Sequence, residues 1–537
     1  MKKILLNTLF LLFVCHVNSQ NNWGETILRQ PNTGAGYAFG YSVAIHGNYA
    51  VVGAHGDTER TGSVHVYKRN ANGEWLYHQK LEAFIGKHDD EHFGYSVAIH
   101  GDYIFASALT DRLDEVKFEK IAGSVMIYKK DANDQWNGVQ RIRSSDIAIG
   151  DYFGSSIAAD GDFVVVGARF EDQDAADANT ITSAGAAYIF KVDVNGNWNE
   201  IQKIVPSHRA HSNKIGHSLD ISGDYIVLGS ENKTDADNLN PLGGNGSAFV
   251  FKKGAGDVWT EVQKLKPSNG KSSSHFGFDA VSISGDYIAV GAKNIDLLEN
   301  NVWHGGLVYM YKVDGDGNWN ETQIVKAENT SNFGLGISLD NNLMLISDPS
   351  GRVHNGQTNV LNVGKSFLFT KNNQNNWVMA EVIEASQIET TSYIGGGDYN
   401  GIDSPFAVSL SGDYFILGAA RTTRIVGGNT YGTAGTAYIS GNIQALGLLN
   451  VLSVKNNLLT SVKAYPNPTS EKLFIDFGKN FKDINLVISD ISGKTISTKQ
   501  FSSRKSLDIN LNSFAKGFYF VKITTEDKTA ILKVLKK

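Results

Sequence analysis

Cysteine is almost missing from the 537 residues, and the single Cys15 excludes an internal disulfide or a redox pair built on two thiols. Charged residues are scarce too, at 19% against the usual quarter. The formal balance of −6, with a pI near 6.2, argues against a nucleic-acid binder. Proline is low at 8 and glycine high at 56. No G-X-Y period accompanies the glycine, which excludes collagen and points to many tight turns. Apolar residues at 41% supply a core and exclude wholesale disorder. No apolar run reaches the ~20 residues that a bilayer-spanning helix needs. The longest, ILLNTLFLLFV, follows Met1-Lys2-Lys3 and precedes Val17-Asn18-Ser19. That is the layout of a signal peptide over residues 1–19, cut before Gln20. A lipid-attached Cys15 would want a small residue before it, and Val14 is not one.

What is present is an internal repeat. One element reads FGYSVAIHGNYAVVGA at Phe39, and related copies start at Phe93, Phe153, Ile215, Phe276, Phe333 and Ser404. The seven starts span 365 residues, a mean interval near 61. A second element, GSVHVYKRNANGEW, runs from Gly62 to Trp75. It recurs at Gly123–Trp136, Gly185–Trp198, Gly246–Trp259, Gly306–Trp319 and Gly364–Trp377, always with an offset of 13. Each unit divides into four strands, the first covering roughly 40–46, 49–54, 62–68 and 74–82. The first two strands join through HGNY or SGDY and the last two through NANG, DVNG or DGDG, all hairpin signals. The strands themselves are β-branched and aromatic.

The seventh unit has a third strand at Gly435–Ile439 but no tryptophan strand after it. Asn22-Trp23-Gly24-Glu25-Thr26-Ile27, at the other end of the repeat region, resembles NWNEIQ at Asn197–Gln202. An N-terminal strand that completes the last unit closes a ring and removes exposed edges. The expectation is all-β: a seven-bladed propeller over residues 20–441, closed by the N-terminal strand. A linker over 442–463 and a small β-sandwich over 464–537 follow. The charge changes sign between them, +6 for residues 464–537 and −14 for residues 20–463.

The FG…GA…G-x-x-x-x-[YF] pattern resembles the FG-GAP repeat of integrin α-subunit-type β-propellers. Proteins of that kind often hold Ca²⁺ in a DxDxDG-type loop between the FG and GAP strands. Here the loop is only His46-Gly47-Asn48-Tyr49 and its equivalents, too short for the six to eight oxygens Ca²⁺ takes. In the tail, Tyr465-Pro466-Asn467-Pro468, SDISGK at Ser489–Lys494 and GFYFVKI at Gly517–Ile523 are together similar to the C-terminal sorting domain of type IX secretion substrates in Bacteroidota. That resemblance implies recognition of residues 464–537 by the type IX machinery. It also implies a secreted or outer-membrane-surface location with no transmembrane span.

Strand parity puts the short turns on one face of the ring and the long second–third loops on the other. Those loops are Arg169–Ala184, Glu231–Asn245, Lys293–Gly305, Pro349–Val363 and Ala420–Ala434. Function usually resides in variable loops on a rigid scaffold, so this is the expected binding face. Within it, Trp303 beside His304, and Arg421, Arg424 and Tyr431, are the candidate ligand contacts, because an indole or phenol can stack on a sugar or anchor a protein. Glu171, Asp172, Asp174 and Asp177, with Asp235 and Asp237 nearby, form an acidic loop that reads either as a Ca²⁺ site or as a solvated surface. The hairpins at Asp193 and Asp314 imitate a calcium loop but place Trp198 and Trp319 where that motif needs glycine, so they read as turns. No nucleophile elbow, H-E-x-x-H or thiol nucleophile is present. The leading expectation is a non-enzymatic binding or adhesion protein for extracellular protein or polysaccharide, with no confident cofactor. The alternative is a polysaccharide lyase or hydrolase whose carboxylates come from separate loops.

Overall fold

The computed structural model describes residues 23–537 apart from 33, 35, 86–90, 113–120, 177–178, 232–245, 270–273, 300–301, 351–352, 355–358, 361–363, 386–406, 423, 427–428, 445–461, 491–494 and 526–528. The expected signal peptide, together with Asp177, Asp235 and Asp237, lies outside the described residues. The chain divides into two compact units between Asn450 and Val451.

Seven antiparallel four-stranded sheets follow one another in the first unit. Blade 1 consists of Val43–His46, Tyr49–Ala54, Ser63–Arg69 and Trp75–Leu81. Blades 2 to 6 repeat this order, with outer strands Trp136–Ile142, Trp198–Ile204, Trp259–Leu265, Trp319–Val325 and Trp377–Ile383. Blade 7 takes Val408–Ser411, Tyr414–Ala419 and Thr436–Ile439 from its own stretch and Thr26–Leu28 from the N-terminal end. Each first strand packs against the first strands of both neighbouring blades, blade 7 against blade 1 included. The ring therefore closes as a seven-bladed propeller. Among the described residues the longest α-helix has four residues, Asp57–Arg60.

The repeat is the chemistry of the blade interfaces. The buried apolar residues fall into seven clusters in this unit, one per interface. In six of the seven blades the aromatic residue of the HGNY-type turn lies edge-on to the tryptophan of the next blade. Tyr49–Trp136, Tyr103–Trp198, Phe163–Trp259, Tyr225–Trp319 and Tyr287–Trp377 have centroids 5.2 to 6.0 Å apart, and Tyr414–Trp75 carries the pattern across the join at 5.8 Å. In blades 1 to 5 a glutamine four residues after the tryptophan then staples the outer strand to that of the next blade. Gln202 Nε2 donates to Trp259 O at 2.8 Å, and Trp259 N donates to Gln202 Oε1 at 2.8 Å. Gln79, Gln140, Gln263 and Gln323 do the same to Trp136, Trp198, Trp319 and Trp377. The glycine that opens each third strand is required by a backbone approach. At Gly62, with φ +84°, a Cβ would stand 2.1 Å from Phe93 O of the next blade.

The closing strand departs from this pattern. The six other outer strands each carry a one-residue bulge against the third strand, which sets the apolar residue that ends the strand six positions after the tryptophan. Thr26, Ile27 and Leu28 pair straight with Ile439, Tyr438 and Ala437, so Leu28 takes the place of Leu81 and Trp23 sits one residue nearer. Trp23 compensates by stacking on Phe415 at 5.4 Å and donating from Nε1 to Glu384 O at 3.1 Å. The glutamine position is Glu381 in blade 6 and Thr26 in blade 7, so the two interfaces flanking the closing blade lack the staple.

The second unit packs a three-stranded sheet (Lys463–Tyr465, Lys472–Phe481, Arg504–Asn510) and a four-stranded one (Thr495–Phe501, Ile484–Asp490, Gly517–Thr524, Thr529–Lys536) around a common apolar cluster. Asn467 of the YPNP motif pins the last strand, accepting from Leu535 N at 2.9 Å and donating to Lys533 O at 2.7 Å.

Two substitutions grade these fastenings. Gln202→Ala strips two hydrogen bonds from buried backbone and is expected to cost about 1–3 kcal/mol. Trp23→Ala empties the centre of the closing interface, at about 3–5 kcal/mol. Chemical denaturation of the purified protein measures both, and a Trp23→Ala loss below that of Gln202→Ala would contradict the closure.

Candidate functional site

The first strands of all seven blades line an axial channel of about 380 Å³. At its short-turn end, the last residue of each first strand reaches the turn of the next blade. Ser411 Oγ accepts from Gly47 N at 3.3 Å, His100 Nε2 from Gly161 N at 3.1 Å, Asp160 from Gly223 N at 2.7 Å, and Ser284 from Asn341 N at 2.9 Å. His46 and His100 lie ring to ring at 4.7 Å. Burial and the neighbouring His100 hold His46 below the usual imidazole range. This hoop ties blades together.

The long-loop face is different in kind. Two repeat positions project there: the residue after each FG and the residue after each GA. In blades 1 to 5 they bring together Tyr41, His55, Tyr95, Arg169, His217, Phe278 and Lys293. A third position, just before the FG phenylalanine or isoleucine, holds Ala38, His92, Tyr152, Lys214 and His275, all with left-handed backbone at φ 48 to 55°. For non-glycine residues that conformation costs on the order of 1 kcal/mol each. It is held by bonds to the preceding blade, such as His92 N to Arg60 O at 3.0 Å and Lys214 N to Ser183 O at 3.0 Å.

These side chains touch in an unbroken series around the axis. Tyr41 meets His55 at 4.1 Å and Tyr95 at 5.1 Å, and His55 meets His92 at 5.3 Å. Arg169 Nη1 donates to Tyr95 Oη at 3.5 Å and lies 3.4 Å from His217 Nδ1. Its guanidinium also covers Phe170 at 5.0 Å, and Phe170 meets Tyr152 at 5.4 Å. His217 stacks on Phe278 at 4.4 Å, and His275 approaches Phe278 edge-on at 5.6 Å. Tyr41, His55, His92, Tyr152, Phe170 and His275 are half-exposed, above a floor of buried Tyr95, Arg169, His217 and Phe278. Burial, helped by the His92 and Arg60 charges, pushes His55 down to about 3; burial and Arg169 do the same to His217. Both imidazoles are neutral at pH 7.

The residues singled out from the sequence sit elsewhere. The Lys293–Gly305 stretch is mostly a β-ribbon, in which Tyr287–Glu299 pairs with Val302–Val313. Trp303 pairs with Leu298 through its backbone; its side chain lies outside the described residues. His304 is buried, with Nδ1 2.7 Å from Ala327 O, so it pins the ribbon rather than facing solvent. Arg424 and Tyr431 stand opposite each other in a two-stranded ribbon of blade 7, and Arg421 is half-buried at its base.

The acidic loop is used internally. Glu171 is buried, accepts from Tyr188 Oη at 3.1 Å and pairs with Lys203 at 3.4 Å. Asp172 accepts from Ser183 N at 2.6 Å, and Asp174 accepts from Asn179 Nδ2 at 2.6 Å. Among the described residues, no three His, Cys, Asp or Glu side chains are grouped to hold a metal ion. The hairpins at Asp193 and Asp314 are Asx turns, each carboxylate accepting two backbone N–H groups of its own loop. Ser63, His65 and Asp57 are hydrogen-bonded, but in the order Asp57–Ser63–His65 and wholly buried, not as a nucleophile activated by its base.

Residues 25–67, 136–190, 198–251 and 259–311 match the FG-GAP repeat, on a fold that is a closed seven-bladed propeller. Residues 463–537 match the secretion system C-terminal sorting domain, which marks the protein for type IX export and a secreted or surface-attached location. No curated protein matches the chain. Among the described residues, no helix is long and apolar enough to cross a membrane.

One buried pair has a pH signature. Burial first, and then the neighbouring Glu171, push Asp151 up to about 7. A carboxyl whose pKa is raised on folding gives stability that is complete below its unfolded value near 3.9 and lost as pH rises through 7. Asp151→Asn should therefore melt above wild type at pH 8 and level with it at pH 4. Thermal melts across that range check this, and a gap constant with pH would refute it.

Proposed function

We propose that this exported propeller is a non-enzymatic binding protein that engages an extracellular partner, protein or polysaccharide, through its long-loop face. The carrying observation is the series of half-exposed rings over buried cation and aromatic side chains, contributed by blades 1 to 5 around one axis. Large rigid rings give contact area at little entropic cost, which suits recognition. The carboxylates that open the second–third loops favour binding over turnover, because they serve the scaffold. Asp57 pairs with Lys80 at 2.9 Å, Asp111 with Arg143 at 2.7 Å, and Asp348 accepts from Ser331 N and Asn332 N at 3.0 Å. Export supplies the setting, since the sorting domain carries such a surface out of the cell.

The test is an array of extracellular matrix proteins and glycans probed with the purified protein. Tyr41→Ala and Phe170→Ala are each expected to weaken binding about tenfold. Asp162→Ala and Val194→Ala, on the exposed short-turn face, are expected to leave it unchanged. The opposite pattern, or turnover of a bound glycan, would overturn the proposal.

A further inference from the structure

We infer that the occupant of this face is an uncharged polysaccharide chain, and that the left-handed residues His92, Tyr152 and His275 are its subsite-determining contacts; this rests on the long-loop reading above. Three observations converge. First, the partly exposed rings are spread over blades 1, 2, 3 and 5 rather than gathered in one pocket: Tyr41, His55 and His92 between blades 1 and 2, Tyr152 and Phe170 at blade 3, His275 with Phe278 at blade 5. A repeating ligand suits a repeating array, with one sugar face per platform.

Second, the basic groups named in the series around the axis are neutral, paired or buried. His55 and His217 are held uncharged at pH 7. Lys214 is paired with Glu231 at 3.3 Å, and Lys293 with Asp279 at 2.8 Å. Arg169 is buried beneath the rings and spread over Phe170 and Tyr152. Residues 20–463 carry −14, which repels a polyanion at long range. A polyuronate or sulfated chain therefore meets a repulsive field in which Lys214, Lys293 and Arg169 are already paired or buried. An uncharged chain meets ring faces and fixed hydrogen-bonding groups.

Third, the variable residue is the strained one. The same left-handed position holds alanine, histidine, tyrosine, lysine and histidine in blades 1 to 5, while the following Phe or Ile is buried in every one. Backbone strain at a position whose side chain the core does not fix is the arrangement expected of a contact selected for what it touches.

Affinity electrophoresis of the full secreted chain through gels containing β-1,3-glucan, galactomannan, xyloglucan or polygalacturonate tests this, at low and high salt. Asparagine tolerates the left-handed region, so His92→Asn and Tyr152→Asn remove a ring without asking the backbone to move. Melting curves confirm that each variant is folded. Retardation by at least one neutral polymer, insensitive to salt and weakened about tenfold by each variant, is the expected result. Preference for polygalacturonate that fades with salt and falls in the same variants would overturn the uncharged ligand and leave the binding face standing. Retardation unaffected by either variant would overturn both this inference and the face. Retardation by none of the polymers, with capture of a protein on the array lost in the same variants, would overturn the glycan and keep the face.

Discussion

Every blade depends on its neighbour. A four-stranded sheet of this kind has two apolar faces and no interior of its own, so its residues become core only when the next blade covers them. The seven clusters at the seven interfaces are that core. The aromatic–tryptophan edge contact orients six of the seven neighbouring sheet pairs and the glutamine staple five, and neither exists within a single blade. Stability is accordingly a property of the ring, and the interface that joins the ends has to match the others without sharing their parts.

The order of the ring was legible because its spacing is imposed by those contacts. The offset from glycine to tryptophan stays at 13 because the glycine meets the next blade's FG backbone while the tryptophan meets the preceding blade's aromatic residue. Both ends of the interval are fixed, and loops outside it vary. The permuted N-terminal strand was legible for the same reason. Its register was not: aligning Asn22-Trp23 with Asn197-Trp198 assumes the bulge that the closing strand lacks, and a bulge leaves no mark in a single sequence. The matched FG-GAP stretches that start at 136, 198 and 259 begin on an outer strand and end in the following blade, so the sequence repeat and the structural blade are offset by one strand.

The long-loop side proposed for binding follows from strand parity in the sequence, whereas the side chains that meet around its axis do not stand out there. Conspicuous loop residues drew attention: Trp303 in a ribbon, Arg424 and Tyr431 in another, and His304, which is buried against Ala327. The side chains that meet around the axis instead flank the FG and GA motifs, close to the most regular positions in the chain. The signal was variation inside the repeat. At the residue before the FG phenylalanine, the core demands only a backbone shape, and the chain places Ala38, His92, Tyr152, Lys214 and His275 there.

The borrowed strand also sets a schedule. Thr26–Leu28 leaves the ribosome among the earliest residues of the propeller, and its partner Thr436–Ile439 among the latest. Until some four hundred residues later, the nascent crown has a loose end and an unmet edge. The sorting domain, which follows in the chain, is complete only after that partner strand has been made. Synthesis order thus presents the export address on a chain that already holds both halves of its clasp.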